Sequence, residues 1–212
     1  MQEDMAINVL QESQYFASGK RGDIYVSELG DQKYLIKKLK KTSTKSDVIY
    51  KEYLFGKKLE RINIAPVHHY KDPQNEFLIR DYVAGDQIRD YIQVCDKKSM
   101  EKIIKDLLDL ARKLDVNLID KKELNHPHKD IIITKNIDCV IIDYERCKYS
   151  VNPKNVSQII QFITGQNMAD HLFRFNIKLD IKKIRCLTKR YKNNQTKENF
   201  GTIRIAVLEK FD

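Results

Sequence analysis

Two aspartates, Asp130 and Asp143, stand at the ends of a predicted β-hairpin and could together bind a cation. The runs 131–133 and 139–142 are rich in β-branched residues and flank a polar Lys-Asn-Ile-Asp turn, a pattern typical of a hairpin. Because the two strands run antiparallel, we expect both carboxylates at one rim of the sheet. Neighbouring carboxylates repel each other unless a cation or proton lies between them. The hairpin is compatible with a Mg²⁺ site or with two solvated strand-end acids. Taken by itself, it favours two solvated acids.

A turn with two glycines lies near the N-terminus, between predicted strands around Tyr15 and Ile24. Gly19 and Gly22 belong to the sequence Ser-Gly-Lys-Arg-Gly-Asp-Ile. Glycine lets the backbone bend sharply and approach a phosphate closely. No helix pattern follows, so the turn is neither a Walker loop nor a Rossmann turn. Since glycine turns are common in hairpins, this one is weak evidence when taken by itself.

Lys37 and Glu52 form a second pair of candidate residues. Lys37 ends a predicted strand over residues 33–37, whose alternation places it on the inward face, where an ammonium group needs a carboxylate or phosphate partner. A helix predicted over residues 46–59, with Ser46 as its N-cap, carries Glu52 near the border of its apolar face. Glu52 could therefore meet Lys37 across the sheet. The plain alternative is a strand-end lysine that reaches solvent.

The pattern of the elements changes at the connector 81–86. Strands and one helix precede it, and helices dominate after it, so we predict an α+β fold with a β-rich lobe of residues 1–82 and a mainly helical lobe of residues 83–212. The strongest helix, over residues 99–118, leads into the polar loop 120–129, where catalytic residues would be expected. Two further helices are predicted, over residues 155–163 and 180–191. The last stretch, residues 200–211, could be helix or strand.

Composition places the chain among ordinary globular proteins. Its 212 residues are 42% hydrophobic and 33% charged, which excludes a disordered chain. There is no apolar run long enough to span a bilayer, and the first four residues lack a signal-peptide pattern. The four cysteines are scattered without a Cys-x-x-Cys pair, so zinc and redox motifs are not expected. We therefore expect a cytoplasmic protein without a membrane partner.

The net charge of +9 permits an anionic partner, such as a nucleotide, RNA or an acidic protein. Solvated faces explain most of the basic clusters, among them residues 37–41 and 189–192. The sequence lacks the interleaved aromatic residues typical of RNA-recognition domains. RNA association is therefore an alternative and not the leading hypothesis.

Taken in order, these sequence features resemble those of the small members of the protein-kinase family. The order is glycine hairpin, strand lysine, helix glutamate, connector, long helix, polar loop and Asp-hairpin-Asp, over residues 15–163. It is similar to the RIO kinases, the KEOPS-complex kinases and the small predicted archaeal serine/threonine kinases. The resemblance implies a two-lobe fold with a reduced helical C-terminal lobe. No activation loop or Ala-Pro-Glu segment follows Glu145, so it implies no activation segment.

The resemblance also implies an ATP site. Gly19 and Gly22 match the last two glycines of the kinase glycine-rich loop, and Ala17 replaces the first. Lys37 matches the lysine that contacts the α- and β-phosphates, and Glu52 matches its helix partner. The residues implied to bind ATP are Gly19, Gly22, Ile24, Lys37, Glu52, Asp81, Tyr82 and Val83.

Metal ligands and a proton acceptor are implied in the same way. The segment Asp143-Tyr144-Glu145 matches Asp-Phe-Gly, whose aspartate is the principal Mg²⁺ ligand. Asp130 matches the asparagine that binds a second Mg²⁺, and a carboxylate ligates Mg²⁺ at least as well. Glu123 stands where the catalytic aspartate is expected, although its loop is two residues longer than the kinase spacing. His126 and His128 are alternative proton acceptors.

The implied activity is transfer of the γ-phosphoryl group of Mg²⁺-ATP to a hydroxyl, expected on Ser or Thr of a protein acceptor or of the protein itself. Lys37 and Glu123 would be its catalytic residues. Two alternatives come from other classes of function. The missing His-Arg-Asp motif suggests a pseudokinase that binds nucleotide or a partner without transfer, and the charge of +9 suggests an RNA-associated module.

Overall fold

A five-stranded antiparallel sheet carries the glycine turn and Lys37. The computed structural model describes residues 1–41 and 47–211. The strand order is β1-β2-β3-β5-β4, and Lys37 on β3 lies opposite Ile24 on β2 and Leu78 on β5. Gly30 takes a φ of +61° in the tight turn from β2 to β3, a conformation that side chains disfavour. The strands are β1 (Gln14–Ser18), β2 (Gly22–Leu29), β3 (Gln32–Leu39), β4 (His68–Lys71) and β5 (Phe77–Asp81).

Two helices pack on this sheet. Helix α1 (Glu3–Gln11) buries Ala6 and Val9 against Tyr34, Ile36 and Ile79 of the strands. Helix α2 (Val48–Glu60) turns its apolar face toward β3, β4 and β5, as the helical spacing of its apolar residues predicts. Ser46, the predicted N-cap, lies outside the described residues, and the cap position belongs to Asp47.

The chain then continues mainly as helices. Strand β6 pairs antiparallel with β8, and β7 pairs with β10. The elements are β6 (Asp86–Gln87), α3 (Ile88–Val94), α4 (Lys97–Val116), β7 (Ile119–Lys121), β8 (Ile131–Ile133), β9 (Cys139–Ile141), β10 (Cys147–Tyr149), α5 (Asn155–Ile163), α6 (Gln166–Phe173), α7 (Ile181–Asn193) and α8 (Lys197–Leu208).

The chain forms two compact units. The first comprises Met1–Ala84 and Val140–Cys147, and the second comprises Gly85–Cys139 and Lys148–Asp212. The sequence placed a single border after Tyr82. In the structure, the chain returns to the first unit at Val140, so Asp143 belongs to the same unit as Lys37.

The fold class predicted from the sequence, α+β, is confirmed. The helix predicted over residues 155–163 has the observed bounds of α5, and the Asp180 carboxylate caps α7 by accepting from the Lys183 amide. The stretch 200–211, left open between helix and strand, lies largely in helix α8. Helices α1, α3 and α6 were not predicted from the sequence. Among the described helices, none is long and apolar enough to cross a membrane.

His68 and Gly56 pack directly against each other. The His68 side chain is 1% exposed, and its Nδ1 lies 2.9 Å from the Pro66 carbonyl oxygen, so Nδ1 donates the proton. Nε2 has no hydrogen-bond partner within the described part of the chain. A Cβ added at Gly56 would lie 2.3 Å from Cε1 and Nε2 of His68. Glycine is therefore required here for close packing of α2 on β4.

We expect Gly56→Ala to lower the free energy of unfolding by about 1–3 kcal/mol in urea denaturation, because the added methyl displaces the buried imidazole. The matched control is Gly201→Ala in α8, where a Cβ meets nothing within 4 Å. That substitution should raise the free energy of unfolding by roughly 0.5–1 kcal/mol, since alanine is the better helix former. Effects of the same sign at both positions would contradict the close packing at Gly56.

His68 should make folding pH-dependent. Burial, followed by the nearby Arg80 guanidinium, lowers the pKa of His68 to about 4. Above pH ~6.5 the imidazole is neutral in both the folded and the unfolded chain, and its contribution to stability is fully present. Between pH ~6.5 and ~4 only the unfolded chain gains the proton, so stability falls as the pH falls, by about 3 kcal/mol in total. Unfolding measured against pH should lose this slope in His68→Gln; an unchanged slope would contradict the assignment.

Candidate functional site

Lys37 and Glu52 form a largely buried ion pair in the first unit. The alternation of β3 turns Lys37 inward, and Glu52 lies one turn after Val48 on the buried face of α2. Burial disfavours the Lys37 ammonium, but the carboxylates of Glu52 and Asp143 outweigh it and hold the pKa of Lys37 above its usual value. Lys37 therefore carries its charge at neutral pH.

Two more carboxylates approach Lys37 from the segment between β9 and β10. Lys37 Nζ lies 3.8 Å from Asp143 Oδ1 and 3.6 Å from Glu145 Oε2. One oxygen from each of Glu52, Asp143 and Glu145 lies within 4.8 Å of the others. The buried ring of Tyr144 fixes the segment: its centroid lies 5.7 Å from that of His68. The sequence predicted Lys37, Glu52 and Asp143 as site residues and missed Glu145 as a member of the cluster.

Arg80 is a buried cation that sequence analysis also missed. It lies on β5, 3% exposed, and its Nη1 donates to the Asp81 carbonyl oxygen over 2.9 Å. Its Nε has no partner among the described residues. Burial lowers the pKa of Arg80, and the charges of Glu52 and Asp143 oppose this change. The one signal in the sequence was an arginine at the end of the apolar run Phe-Leu-Ile, which also fits a strand end at the surface.

The glycine turn is fixed to the end of β3. The Gly19 amide donates to the Gly22 carbonyl over 2.9 Å, and Lys40 Nζ donates to the Gly19 carbonyl over 2.7 Å. A Cβ at Gly22 would lie 2.8 Å from the Lys38 carbonyl oxygen and 3.4 Å from Lys37 Cγ. Gly22 is therefore required because the turn packs against β3 beside Lys37.

The connector residues of the first unit are partly engaged by their own neighbours. Asp81 Oδ1 lies 2.6 Å from His69 Nε2, and the Tyr82 ring meets Phe16 edge-on with centroids 6.2 Å apart. Val83 is partly buried. The backbone of the connector is engaged as well, since the Asp81 amide donates to the Val67 carbonyl, the Tyr82 amide donates to the Lys33 carbonyl, and the Asp81 carbonyl accepts from Arg80 Nη1.

Asp130, in the second unit, is paired with a lysine. Its Oδ2 lies 2.8 Å from Lys121 Nζ, and Lys121 is buried whereas Asp130 is partly exposed. Lys121 was not among the predicted site residues, because a Lys-Lys pair in a polar loop is typical of a solvated surface. The assignment of Asp130 as a metal ligand stays a prediction.

Glu123 follows β7 with a φ of +74°, in the left-handed region that glutamate rarely adopts. The turn is held by the His126 amide, which donates to the Glu123 carbonyl over 2.9 Å, and by the Leu124 amide, which donates to a side chain of α5. The rings of His126 and His128 lie 6.4 Å apart, and burial lowers the pKa of His128. His128 is therefore a neutral imidazole at pH 7, as a proton acceptor must be.

A buried polar network anchors β7, the strand that leads into the Glu123 loop. Asn155 Oδ1 accepts from the Lys121 amide over 2.9 Å, and Asn155 Nδ2 donates to the Ile119 carbonyl and to Asp115 Oδ1 over 2.6 and 2.7 Å. The Tyr191 hydroxyl donates to Asp115 Oδ2 over 2.9 Å. Burial raises the pKa of Asp115, although these donors oppose it. Sequence analysis missed the network, whose signal is an acid at the end of the apolar stripe of α4.

The comparisons with known proteins leave the function of this site unassigned. No protein family model matches the chain. Over 115 residues, 53% of this chain, it is 27% identical to an uncharacterized protein of Methanocaldococcus jannaschii, of which the match covers 97%. The name of that relative indicates no activity for the site.

The Lys121–Asp130 pair should show strong coupling. We expect Asp130→Asn to lower the free energy of unfolding by about 1–3 kcal/mol, because it leaves a buried ammonium without its carboxylate. The double variant Lys121→Met/Asp130→Asn should recover most of this loss in urea denaturation, since no unpaired charge stays buried.

The matched control is the exposed pair Lys183–Glu209 on α7 and α8, with its charged atoms 3.0 Å apart. There Glu209→Gln should change the free energy of unfolding by no more than about 0.5 kcal/mol. Strictly additive losses at Lys121 and Asp130 would contradict a coupled buried pair.

Proposed function

We propose that this protein is a kinase-like phosphotransferase that moves the γ-phosphoryl group of Mg²⁺-ATP to a hydroxyl group. The observation that carries the proposal is Lys37, largely buried between Glu52 and Asp143 next to a glycine turn in one compact unit. This unit would be the nucleotide-binding lobe of a kinase-like two-lobe fold. The second unit would be the reduced helical lobe without an activation segment.

Stability alone is a poor explanation for this cluster. Removing charged groups from water costs several kcal/mol for each, and apolar residues of similar volume often stabilise a core better. The cluster is also not closed: the Asp143 side chain is 39% exposed, whereas Glu52 is fully buried. A charged cluster with one open carboxylate and a fixed ammonium group is suited to an anionic ligand that brings its own cation.

Each predicted nucleotide-binding residue has a role in the proposal. Lys37 would neutralise the α- and β-phosphates, and Glu52 would hold it in place. The backbone of the Gly19–Gly22 turn would approach the phosphates. The adenine would lie against Ile24 and against the connector Asp81-Tyr82-Val83.

A Mg²⁺ ion fits the donor set through Asp143. The carboxylates of Glu52 and Glu145 are already neutralised by Lys37 and Arg21, which leaves Asp143 as the oxygen donor with solvent access. Bound Mg²⁺ would shield the phosphate charge and orient the transferring group. Asp130 would serve as a second ligand only by sharing its carboxylate with Lys121.

Glu123 would accept the proton of the acceptor hydroxyl. Its strained φ and the anchored strand β7 fix its backbone, and rigid placement of reacting groups supplies much of the rate in phosphoryl transfer. His128, neutral at pH 7, is the alternative base. The proposed acceptor is a serine or threonine of a protein, this one included.

Purified protein incubated with Mg²⁺ and γ-labelled ATP should label itself or an added protein acceptor. We expect Lys37→Met and Asp143→Asn to reduce the transfer rate by roughly 10²–10³-fold, because each removes a preorganised charge at the phosphates. Lys38→Met is the matched control: Lys38 neighbours Lys37 on β3 but is exposed, and its loss should leave the rate within about twofold.

Three results would contradict the proposal. Transfer by both Lys37→Met and Asp143→Asn at the parent rate would exclude the assigned site. ATP binding without transfer to any acceptor would favour the pseudokinase alternative. Steeply salt-dependent binding of RNA without nucleotide binding would favour an RNA-associated module.

A further inference from the structure

Arg21 lies at the tip of the glycine turn and is held by a carboxylate of the acidic cluster. Its Nη1 forms an ion pair with Glu145 Oε1. The side chain of Arg21 is 19% exposed and that of Glu145 is 8% exposed. Arginine at the tip of a turn could extend freely into solvent. A largely buried guanidinium at this position therefore indicates a stabilising partner.

The backbone also fixes Arg21 beside Lys37. The Lys40 amide donates to the Arg21 carbonyl over 3.0 Å, which ties the turn to the end of β3. At the next residue, Gly22, an added Cβ would lie 2.8 Å from the Lys38 carbonyl oxygen and 3.4 Å from Lys37 Cγ, so the turn lies close against β3. Arg21 is therefore part of a turn that cannot move away from Lys37 without breaking these contacts.

Glu145 connects the two cations. Its Oε1 pairs with Arg21 and its Oε2 lies 3.6 Å from Lys37 Nζ. Lys37 in turn pairs with Glu52. Lys37 and Arg21 thus each have a largely buried carboxylate partner, and Glu145 contacts both cations.

We infer that Arg21 is a second phosphate-binding cation, positioned by Glu145 in the way that Glu52 positions Lys37. The inference rests on the proposed function and adds a specificity residue to it. A guanidinium has five N–H donors, and one carboxylate oxygen at Nη1 leaves others for a phosphate oxygen. Its planar fork suits two oxygens of one phosphate, which a lysine ammonium does not match. The ligand class is a nucleoside polyphosphate.

A purely structural clamp is the competing explanation, and two substitutions separate the two. Arg21→Gln removes the cation and the ion pair, whereas Glu145→Gln removes the ion pair and keeps the cation. A structural clamp predicts equal effects of both on ligand binding. A phosphate contact predicts a much larger effect of Arg21→Gln.

The experiment measures the dissociation constants of Mg²⁺-ATP and of adenosine by titration calorimetry on the full chain. Adenosine lacks the phosphates, so it reports the base and ribose contacts alone. We expect Arg21→Gln to weaken ATP binding about tenfold or more and adenosine binding less than about twofold. Arg21→Lys should recover part of the loss. Lys20→Gln, which removes the exposed neighbouring charge of the same turn, should change ATP binding less than about threefold.

Each outcome decides between the alternatives. Equal loss of ATP affinity in Arg21→Gln and Glu145→Gln, or an equal loss for ATP and adenosine, would overturn the role of Arg21. Loss of ATP binding in Lys37→Met but not in Arg21→Gln would overturn this inference and leave the proposed function standing. A parent protein that binds no ATP would overturn the proposed function itself, and with it the role of Arg21.

Discussion

The ion pair between Lys37 and Glu52 is the interaction on which the first unit depends. Glu52 is buried and Lys37 is largely buried, and a charge removed from water is tolerated only next to its counter-charge. The pair therefore requires β3 and α2 to keep their relative position, since a displacement of either would leave a bare charge in the core. Arg80, Asp143 and Glu145 surround it with three more charged groups. The first unit is thus built around electrostatic balance as well as around the apolar contacts of its sheet and helices.

The second unit also depends on the pairing of buried polar groups, some neutral and some charged. Asp115 accepts from the backbone and side chain of Asn155, from the Val156 amide and from Tyr191, and these bonds lie inside the helical core. Asn155 in turn holds both ends of β7. A satisfied buried network of this kind specifies one arrangement, because any other leaves polar groups unpaired. Its effect is to fix the strand that precedes Glu123, whose backbone has an unfavourable φ.

The chain as a whole carries a charge of +9, but the cluster around Lys37 is close to neutral. Four cations, Lys37, Arg21, Arg80 and Arg146, accompany the carboxylates of Glu52, Asp143 and Glu145 among the described residues. Most of the excess of positive charge therefore belongs to the rest of the chain. This separation explains why net charge, the first property that a sequence offers, says little about the chemistry of the candidate site.

Local patterns in the sequence determined the elements and the identity of several site residues. Period-2 and helical spacing predicted β3, α2, α4, α5 and α7, and the alternation of β3 predicted an inward Lys37 that requires a partner such as Glu52. The tertiary structure alone decided the remaining partners: Glu145 for Arg21, the buried position of Arg80, Lys121 for Asp130, and the assignment of Asp143 to the unit of Lys37. The physical reason is the separation along the chain over which a sequence pattern carries information. Periodicity reports which way a side chain points within its own element, whereas an ion pair depends on where the chain returns in space, and residues such as Arg21 and Glu145, far apart in sequence, carry no local signal of each other.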